Sequence, residues 1–215
     1  MSSSQRIKQW VVMAGVILLS GCATVNTQHP MVMNGDITPE LKNQLATVYF
    51  IRPEAYKTKG VANDTVRITF QGKTLLTLDE GAYTLLYMKP SKGVLRVYSK
   101  TQFINSTTPV EVYREREYKF IANKTYFVYV RQINEEFRGV YYDPQPVTLA
   151  EAKELIKPGP GRFGSTRPSG LARSAPIDEL EEEAVNPPPS SAVKGLAPAL
   201  PEHIYKREKY LHKVK

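Results

Sequence analysis

The residue types that most often act as nucleophiles, bases or metal ligands are scarce in this chain. Its 215 residues include one cysteine, Cys22, and three histidines. The histidines, His29, His203 and His212, all lie outside residues 46–157, the only segment with enough apolar residues for a core. Catalytic triads and zinc sites need histidine or cysteine side chains held close together. We therefore expect no site of either kind within that segment.

Two pairs of adjacent carboxylates, Asp79-Glu80 and Glu135-Glu136, are the remaining candidates for acid–base chemistry. Each pair falls in a predicted turn or loop, and neighbours on a strand would point to opposite faces. We interpret both pairs as solvated charge. The glycine-rich residues 159–164 lack the preceding strand and the Lys-Ser/Thr ending of a phosphate-binding loop. The sequence thus predicts a protein that is not an enzyme and holds no metal or cofactor.

The amino terminus has the organisation of a secretory signal peptide. Arg6 and Lys8 precede an apolar run of about ten residues, half the length that a membrane-spanning helix needs. Residues 19–22 read Leu-Ser-Gly-Cys, which resembles the lipobox of bacterial lipoproteins. The resemblance implies peptidase cleavage between Gly21 and Cys22, a diacylglycerol on the Cys22 thiol and an acyl chain on the new amine.

Acyl chains of this kind would anchor the protein to a membrane without a transmembrane helix. Each buried methylene contributes about 0.8 kcal/mol, and more than one chain makes the anchoring stable. Ala23 follows the cysteine, where an aspartate tends to retain enteric lipoproteins in the inner membrane. The resemblance therefore implies a lipoprotein of the bacterial cell envelope, in the outer membrane and facing the periplasm. Cleavage before Cys22 would remove Arg6 and Lys8 and leave a net charge of +6 on 194 residues. That charge is modest, and an exported, lipid-anchored chain rarely meets nucleic acid, so we expect no nucleic-acid binding.

Residues 46–157 are expected to form the folded domain. Short runs rich in Val, Ile, Tyr, Phe and Thr alternate with turn sequences, which is typical of antiparallel strands. Thr148 and Glu151 have the spacing of a capping box at the start of a helix, and Pro158 would end that helix. The pattern predicts a mainly all-β fold, an antiparallel β-sandwich or half-barrel with one helix at its carboxyl end.

Residues 81–97 contain Gly-x-Tyr, a strand, the turn Pro90-x-x-Gly93 and an alternating strand. Together with residues 46–53 and 123–128, they resemble a family of small bacterial lipoproteins known only as domain of unknown function 2846. The resemblance covers about half the chain and rests on turn sequences, so it implies a β-sandwich and brings no catalytic residue. In the turn, Pro90 would preset the backbone and Gly93 would accept a positive φ.

The flanking segments are predicted to lack stable structure. Residues 22–45 are mixed and polar, and we interpret them as a flexible tether between lipid and domain. Residues 158–202 hold nine of the sixteen prolines, which predicts a disordered Pro/Gly-rich linker. Residues 203–215 are basic and aromatic. The candidate partner-binding residues of this tail are Tyr205, Lys206, Arg207, Lys209 and Tyr210.

These features predict a non-enzymatic structural or accessory subunit that docks on an envelope protein complex or a cell-wall polymer. The basic tail would serve as its recognition segment. An alternative function is a glycan- or lipid-binding module, in which Tyr83, Tyr87 and Tyr98 would present exposed rings on one sheet face. Burial of those rings would remove the basis of the alternative.

Overall fold

The computed structural model describes residues 23–33, 37–54, 65–102, 108–135, 139–157 and 166–181. Within these ranges ten β-strands form two sheets, accompanied by the short helix α1 (Pro39–Lys42) and the two-turn helix α2 (Leu149–Ile156). The strands are β1 (Ala23–Val25), β2 (Ala46–Arg52), β3 (Val66–Phe70), β4 (Lys73–Leu78), β5 (Ala82–Met88), β6 (Ser91–Thr101), β7 (Val110–Phe120), β8 (Lys124–Glu135), β9 (Gly139–Val147) and β10 (Arg167–Gly170).

The two sheets have five strands each and confirm the predicted mainly all-β sandwich. The first sheet has the order β1-β4-β3-β6-β7, with every neighbouring pair antiparallel. The second has the order β10-β5-β2-β8-β9 and contains two parallel pairs, β2 with β8 and β10 with β5. Parallel neighbours need a long crossover connection. Between β2 and β8 the described part of the chain forms five other strands, β3 to β7, and these make up the crossover.

Apolar side chains form two cores, one on each side of the second sheet. The first core lies between the sheets and includes the fully buried Val66, Ile68 and Phe70, which alternate along β3. The second lies on the outer side of the second sheet, where Tyr49 and Ile51 of β2 are buried. Because β2 contacts both cores, its sequence is apolar on both faces rather than alternating.

The first described residues belong to the sandwich, so the prediction of a tether over residues 22–45 is wrong for residues 23–33. β1 pairs antiparallel with β4, with Ala23 opposite Leu78. His29 is 3% exposed, and its Nε2 lies 3.2 Å from a backbone carbonyl oxygen of β3. A three-residue strand is too short to show the alternation by which strands are recognised in a sequence.

Residues 166–181, which we call the strap, also fold onto the domain. The prediction of a disordered linker over residues 158–202 is therefore wrong for this part. β10 extends the second sheet by pairing with β5, and an edge strand tolerates a proline such as Pro168. Ala172 and Ile177 are fully buried in the second core. The folded unit is thus larger at both ends than residues 46–157.

The predicted helix is confirmed as α2. The Thr148 Oγ1 accepts the backbone N–H of Glu151 at 3.2 Å, and the Glu151 carboxylate accepts the backbone N–H of Thr148 at 2.7 Å. Leu149 and Ala152 are buried against the second sheet. A local sequence signal was sufficient here because both partners of the capping box lie within one helical turn.

Gly93 does not have the positive φ that the resemblance implied. It lies within β6, while the glycines with positive φ include Gly72 and Gly81, which follow β3 and β4. A Cβ at Gly93 would come within 2.9 Å of the Phe70 ring and 2.6 Å of the Gln71 side chain. The position needs a residue without a side chain because the Phe70 ring passes close to its backbone.

We expect Gly93→Ala to lower the free energy of unfolding by about 1–3 kcal/mol, because the fully buried Phe70 ring must shift. Urea unfolding followed by far-UV circular dichroism measures this change. In a Phe70→Leu background the added cost of Gly93→Ala should fall, since the ring that would collide is gone. Strictly additive costs in the double variant would contradict this explanation.

Candidate functional site

The two outer faces of the sandwich differ in what covers them. On the second sheet, α2 packs against β2 and β8, and the strap packs against β5. On the first sheet, neither α2 nor the strap covers the outer side in the part of the chain that the structure describes. We call this outer side the open face. Its central residues Arg67, Arg96, Tyr98, Tyr113 and Glu115 are all partly exposed.

The strand register arranges the side chains of the open face in rows. One row crosses all five strands through Thr24, Thr77, Arg67, Tyr98 and Tyr113. The Tyr98 and Tyr113 ring centroids are 5.2 Å apart, and the Arg67 guanidinium lies 4.2 Å from the Tyr98 centroid. Stacking of cations on rings in this way stabilises exposed sites by about 0.5–1 kcal/mol. The row is therefore an ordered feature of the surface.

Carboxylates complete the pattern by pairing with the two arginines. Arg67 contacts the Glu111 carboxylate at 2.7 Å, and the Arg96 Nε lies 2.5 Å from Glu115. The hydrogen bond to Glu115 raises the pKa of the Arg96 guanidinium. Arg96 also lies 5.4 Å from the Tyr113 ring centroid. The open face is thus an array of charges and rings that neighbouring side chains hold in place.

The three tyrosines predicted to form a ligand-binding face do not share one. Tyr98 lies on the open face, whereas Tyr83 and Tyr87 lie in β5 of the second sheet. Tyr83 is 2% exposed, and burial raises the pKa of its phenol, with a further contribution from Asp178 and Glu179 of the strap. The alternative function therefore lacks the face on which it was predicted. A strand pattern shows which residues alternate but not which sheet the strand joins.

A groove of about 720 Å³ lies between α2 and the outer side of β8 and β9. Its charged groups are mostly engaged within the protein. The Lys153 ammonium donates to the Leu180 carbonyl oxygen at 2.6 Å, and Lys157 pairs with Glu154 at 2.5 Å. Gln145 contributes a buried side-chain oxygen without a hydrogen-bond partner. No sequence signal pointed to this groove, because α2 and the two strands are brought together only by the tertiary fold.

A seam of polar contacts joins β7 to β9 and closes one side of the sandwich. Arg116 and Asp143 form an ion pair at 3.1 Å with side chains only 10% and 7% exposed. The Tyr118 hydroxyl donates to the Pro144 carbonyl oxygen at 2.9 Å. Burial raises the pKa of the Tyr118 phenol. These contacts link the edges of two sheets, and we interpret them as structural.

Arg52 is a fully buried cation at the end of β2. Its guanidinium donates to the Leu78 carbonyl oxygen at 2.9 Å and to the Tyr142 hydroxyl at 3.1 Å, and it lies 4.7 Å from the Tyr142 ring centroid. These two hydrogen bonds and the ring replace part of the water that the buried charge has lost, whereas the Arg52 Nε has no hydrogen-bond partner within the described part of the chain. Among the described residues, no group of three or more His, Cys, Asp or Glu side chains could hold a metal ion.

The predicted lipidation and tail residues lie outside the described residues. Gly21 and Cys22 directly precede Ala23, the first residue of β1, and the tail residues belong to the range 203–215. The prediction that Asp79-Glu80 occupies a turn is confirmed, since the pair lies between β4 and β5. The same prediction is wrong for Glu135, which is the last residue of β8, and Glu136 lies outside the described residues. Within the described ranges no helix has both the length and the hydropathy needed to cross a membrane. The tail residues are Tyr205, Lys206, Arg207, Lys209 and Tyr210.

We expect alkaline titration to separate the tyrosines into two groups. Burial raises the pKa of Tyr49, Tyr83, Tyr118, Tyr126 and Tyr129. Their contribution to stability is complete below about pH 10 and is lost above it, because the unfolded chain ionises there while the folded chain stays protonated. Tyrosinate absorbance near 295 nm should therefore rise in two phases, the second coinciding with loss of the β-sheet circular dichroism signal. A single phase near the ordinary tyrosine pKa, with the sheet intact, would contradict this burial pattern.

No family model, no curated protein and no solved structure matches this chain. The resemblance to domain of unknown function 2846 accordingly stays a prediction, as does the resemblance of residues 19–22 to a lipobox. What the protein does has to be argued from its own residues and their arrangement.

Proposed function

We propose that this chain is a lipid-anchored, non-enzymatic accessory subunit of the bacterial cell envelope that docks through its open face. The proposed anchor is Cys22, carrying a diacylglycerol on its thiol and an acyl chain on its amine. The proposed location is the outer membrane, facing the periplasm, because Ala23 rather than aspartate follows the cysteine. The observation that carries the docking role is the difference between the two outer faces of the sandwich.

The chain uses its own α2 and strap to cover the apolar outer side of one sheet, as a free-standing domain must. The open face needs no such cover because its arginines and glutamates keep it compatible with water. Tyrosine and arginine are also the residues most enriched where proteins contact partners. A surface with both residue types held in place by their neighbours is suited to contact with another macromolecule.

The position of β1 supports a lateral mode of docking. Ala23 is already paired with Leu78, so no flexible spacer separates Cys22 from the sandwich. With Cys22 acylated, the end of the sandwich that contains Ala23 would rest at the lipid surface. The strands would run away from the membrane, and the open face would stand to the side. A partner held in the same membrane could reach that face.

Site-specific photo-crosslinking in the native host tests this function. A photoreactive side chain at position 113, on the open face, should give a discrete crosslinked product with an envelope component. The matched control is the exposed position 150 on α2, which should give little product. Reversing Arg67 and Arg96 to glutamate should abolish the product at 113. Equal products at 113 and 150, or no product at 113, would contradict docking through the open face.

A further inference from the structure

The end of the sandwich opposite Ala23 is rich in lysine. It is formed by the Gln71-Gly72 turn, the β5–β6 connection, the β7–β8 turn and α1. We call the lysines of these turns and strand ends the lysine rim. They are Lys42, Lys73, Lys89, Lys92, Lys119 and Lys124.

Few acidic groups balance the lysine rim. Among the described residues of the same turns and strand ends, the acids are Glu40 and Glu117. Glu117 pairs with Lys92 at 3.2 Å, with side chains 60% and 66% exposed. Lys92 also stands directly opposite Lys119 in the β6–β7 register, and like charges placed in this way are destabilising. A bound anion would relieve that repulsion.

Three of the rim lysines are available to a ligand. Lys73, Lys89 and Lys119 are exposed, and within the described residues none of them forms an ion pair. At the opposite end of the sandwich, the described charges include four acids, Glu54, Asp79, Glu80 and Glu111, and an equal number of basic residues, Arg52, Arg67, Lys100 and Arg167.

We propose that the lysine rim binds the carboxylate-bearing peptidoglycan of the cell wall. The proposal rests on the proposed function, because the anchor at Cys22 decides what the rim can reach. Ala23 pairs with Leu78, and five residue steps along β4 separate Leu78 from the rim residue Lys73, a distance of about 17 Å. Charges are screened beyond about 8–10 Å at physiological ionic strength. The headgroups at the anchored end are therefore too far away to be the ligand of the rim.

The composition of the rim favours a polymer over a protein partner. Protein interfaces depend on buried apolar and aromatic anchors. At this end the exposed large apolar side chain among the described residues is Ile121, at 46% exposure. A polymer with repeated carboxylates needs only spaced cations on flexible stems, and lysine ammonium groups provide these. The Gln71-Gly72 turn joins the paired strands β3 and β4, and the β5–β6 and β7–β8 connections are short links between the two sheets, so the strand ends hold the cations around this end of the sandwich.

Sedimentation with purified peptidoglycan sacculi tests the proposal, using the full chain in neutral detergent. Replacing Lys73, Lys89 and Lys119 by glutamine should weaken binding by about tenfold, and added salt should weaken it further. The matched control replaces Lys100, Lys157 and Arg173 by glutamine. It changes the net charge equally at exposed positions away from the rim and should alter binding by less than about twofold.

Equal loss in the two triple variants would show a response to net charge alone and would overturn the proposal, as would full retention of binding by the rim variant. Tighter binding to phosphatidylglycerol vesicles, with the same dependence on the rim, would overturn it in favour of a membrane. Sedimentation with sacculi does not require acylation. A failure of Cys22 to be lipidated would therefore remove the proposed function, but the sedimentation experiment would still decide whether the lysine rim binds peptidoglycan.

Discussion

Ending the chain after Glu181 is expected to leave the fold intact, whereas ending it after Ser165 is expected to leave a protein that aggregates or unfolds. The shorter product lacks the strap. It therefore loses the fully buried Ile177 and uncovers Tyr49 and Tyr83 of the second core. Exposing a large buried apolar side chain costs about 1.5–3 kcal/mol. Several such losses approach the total stability of about 5–15 kcal/mol for a typical domain.

Hydrogen bonds add to the expected difference between the two truncations. The Tyr49 hydroxyl donates to the Ala175 carbonyl oxygen at 3.0 Å, and the Ser169 hydroxyl donates to the Tyr83 carbonyl oxygen at 2.9 Å. The Thr84 hydroxyl donates to the Ser169 carbonyl oxygen at 3.2 Å. Because the truncation exposes these groups to water, each lost hydrogen bond costs only its net contribution of about 0.5–1.5 kcal/mol. The product ending at Ser165 retains the partners in β2 and β5 but loses the strap that satisfied them.

A pair of single substitutions tests the strap without truncation. Ile177→Ala should lower the free energy of unfolding by about 2–5 kcal/mol, because the side chain is fully buried. Leu171→Ala, in the same strap at 48% exposure, should change it by less than about 0.5 kcal/mol. Urea unfolding measures both variants, and size-exclusion chromatography measures the truncated chains. Equal stability of the chains ending at 165 and 181 would show that the strap does not support the fold.

Asp143→Asn should lower the free energy of unfolding by about 3–5 kcal/mol, because it leaves the Arg116 charge buried and unpaired. A matched surface control is Glu111→Gln, which removes the partner of Arg67 in a pair whose side chains are 38% and 52% exposed. Exposed pairs contribute about 0–1 kcal/mol, so the control should change little. Urea unfolding of the two variants gives the comparison directly.

Replacing both members of the buried pair separates loss of charge from loss of packing. Arg116→Met combined with Asp143→Leu should recover most of the stability lost in Asp143→Asn, since apolar pairs of similar volume often substitute for buried ion pairs. The recovery is expected because the seam would keep its backbone contact from Tyr118 to Pro144. If Asp143→Asn cost no more than Glu111→Gln, the seam would not be the buried electrostatic contact described above.

The elements that could be predicted from the sequence are those whose signal is local. β3 alternates buried and outward-facing residues through Val66, Ile68 and Phe70, and α2 begins at a capping box contained in four residues. The strap could not be predicted in this way. Ala172 and Ile177 lie in a segment whose few apolar residues follow neither the helical nor the strand period, and their contact with the second sheet buries them. The same holds for β1, whose three residues gain their partners from β4.

The open face depends on register, which a single sequence does not reveal. Tyr98 and Tyr113 become neighbours only when β6 pairs with β7, and Arg67 joins them through β3. In β7, residues 113–118 read Tyr-Arg-Glu-Arg-Glu-Tyr and are charged on both faces. Odd-numbered residues lie on the open face, while Arg116 contacts Asp143 at the seam. The alternation of apolar and polar residues by which a strand is recognised is therefore missing from this part of β7, because both of its faces carry charged side chains.

Acylation of Cys22 fixes the location and the orientation proposed for the sandwich, and mass spectrometry of the protein purified from its native host tests it most directly. The predicted result is a mature chain that begins at Cys22 and carries a diacylglycerol thioether and an amide-linked acyl chain. The Cys22→Ser variant should stay unprocessed and unacylated. If that variant were cleaved and fractionated with membranes as the parent does, the anchor proposed for this protein would be contradicted.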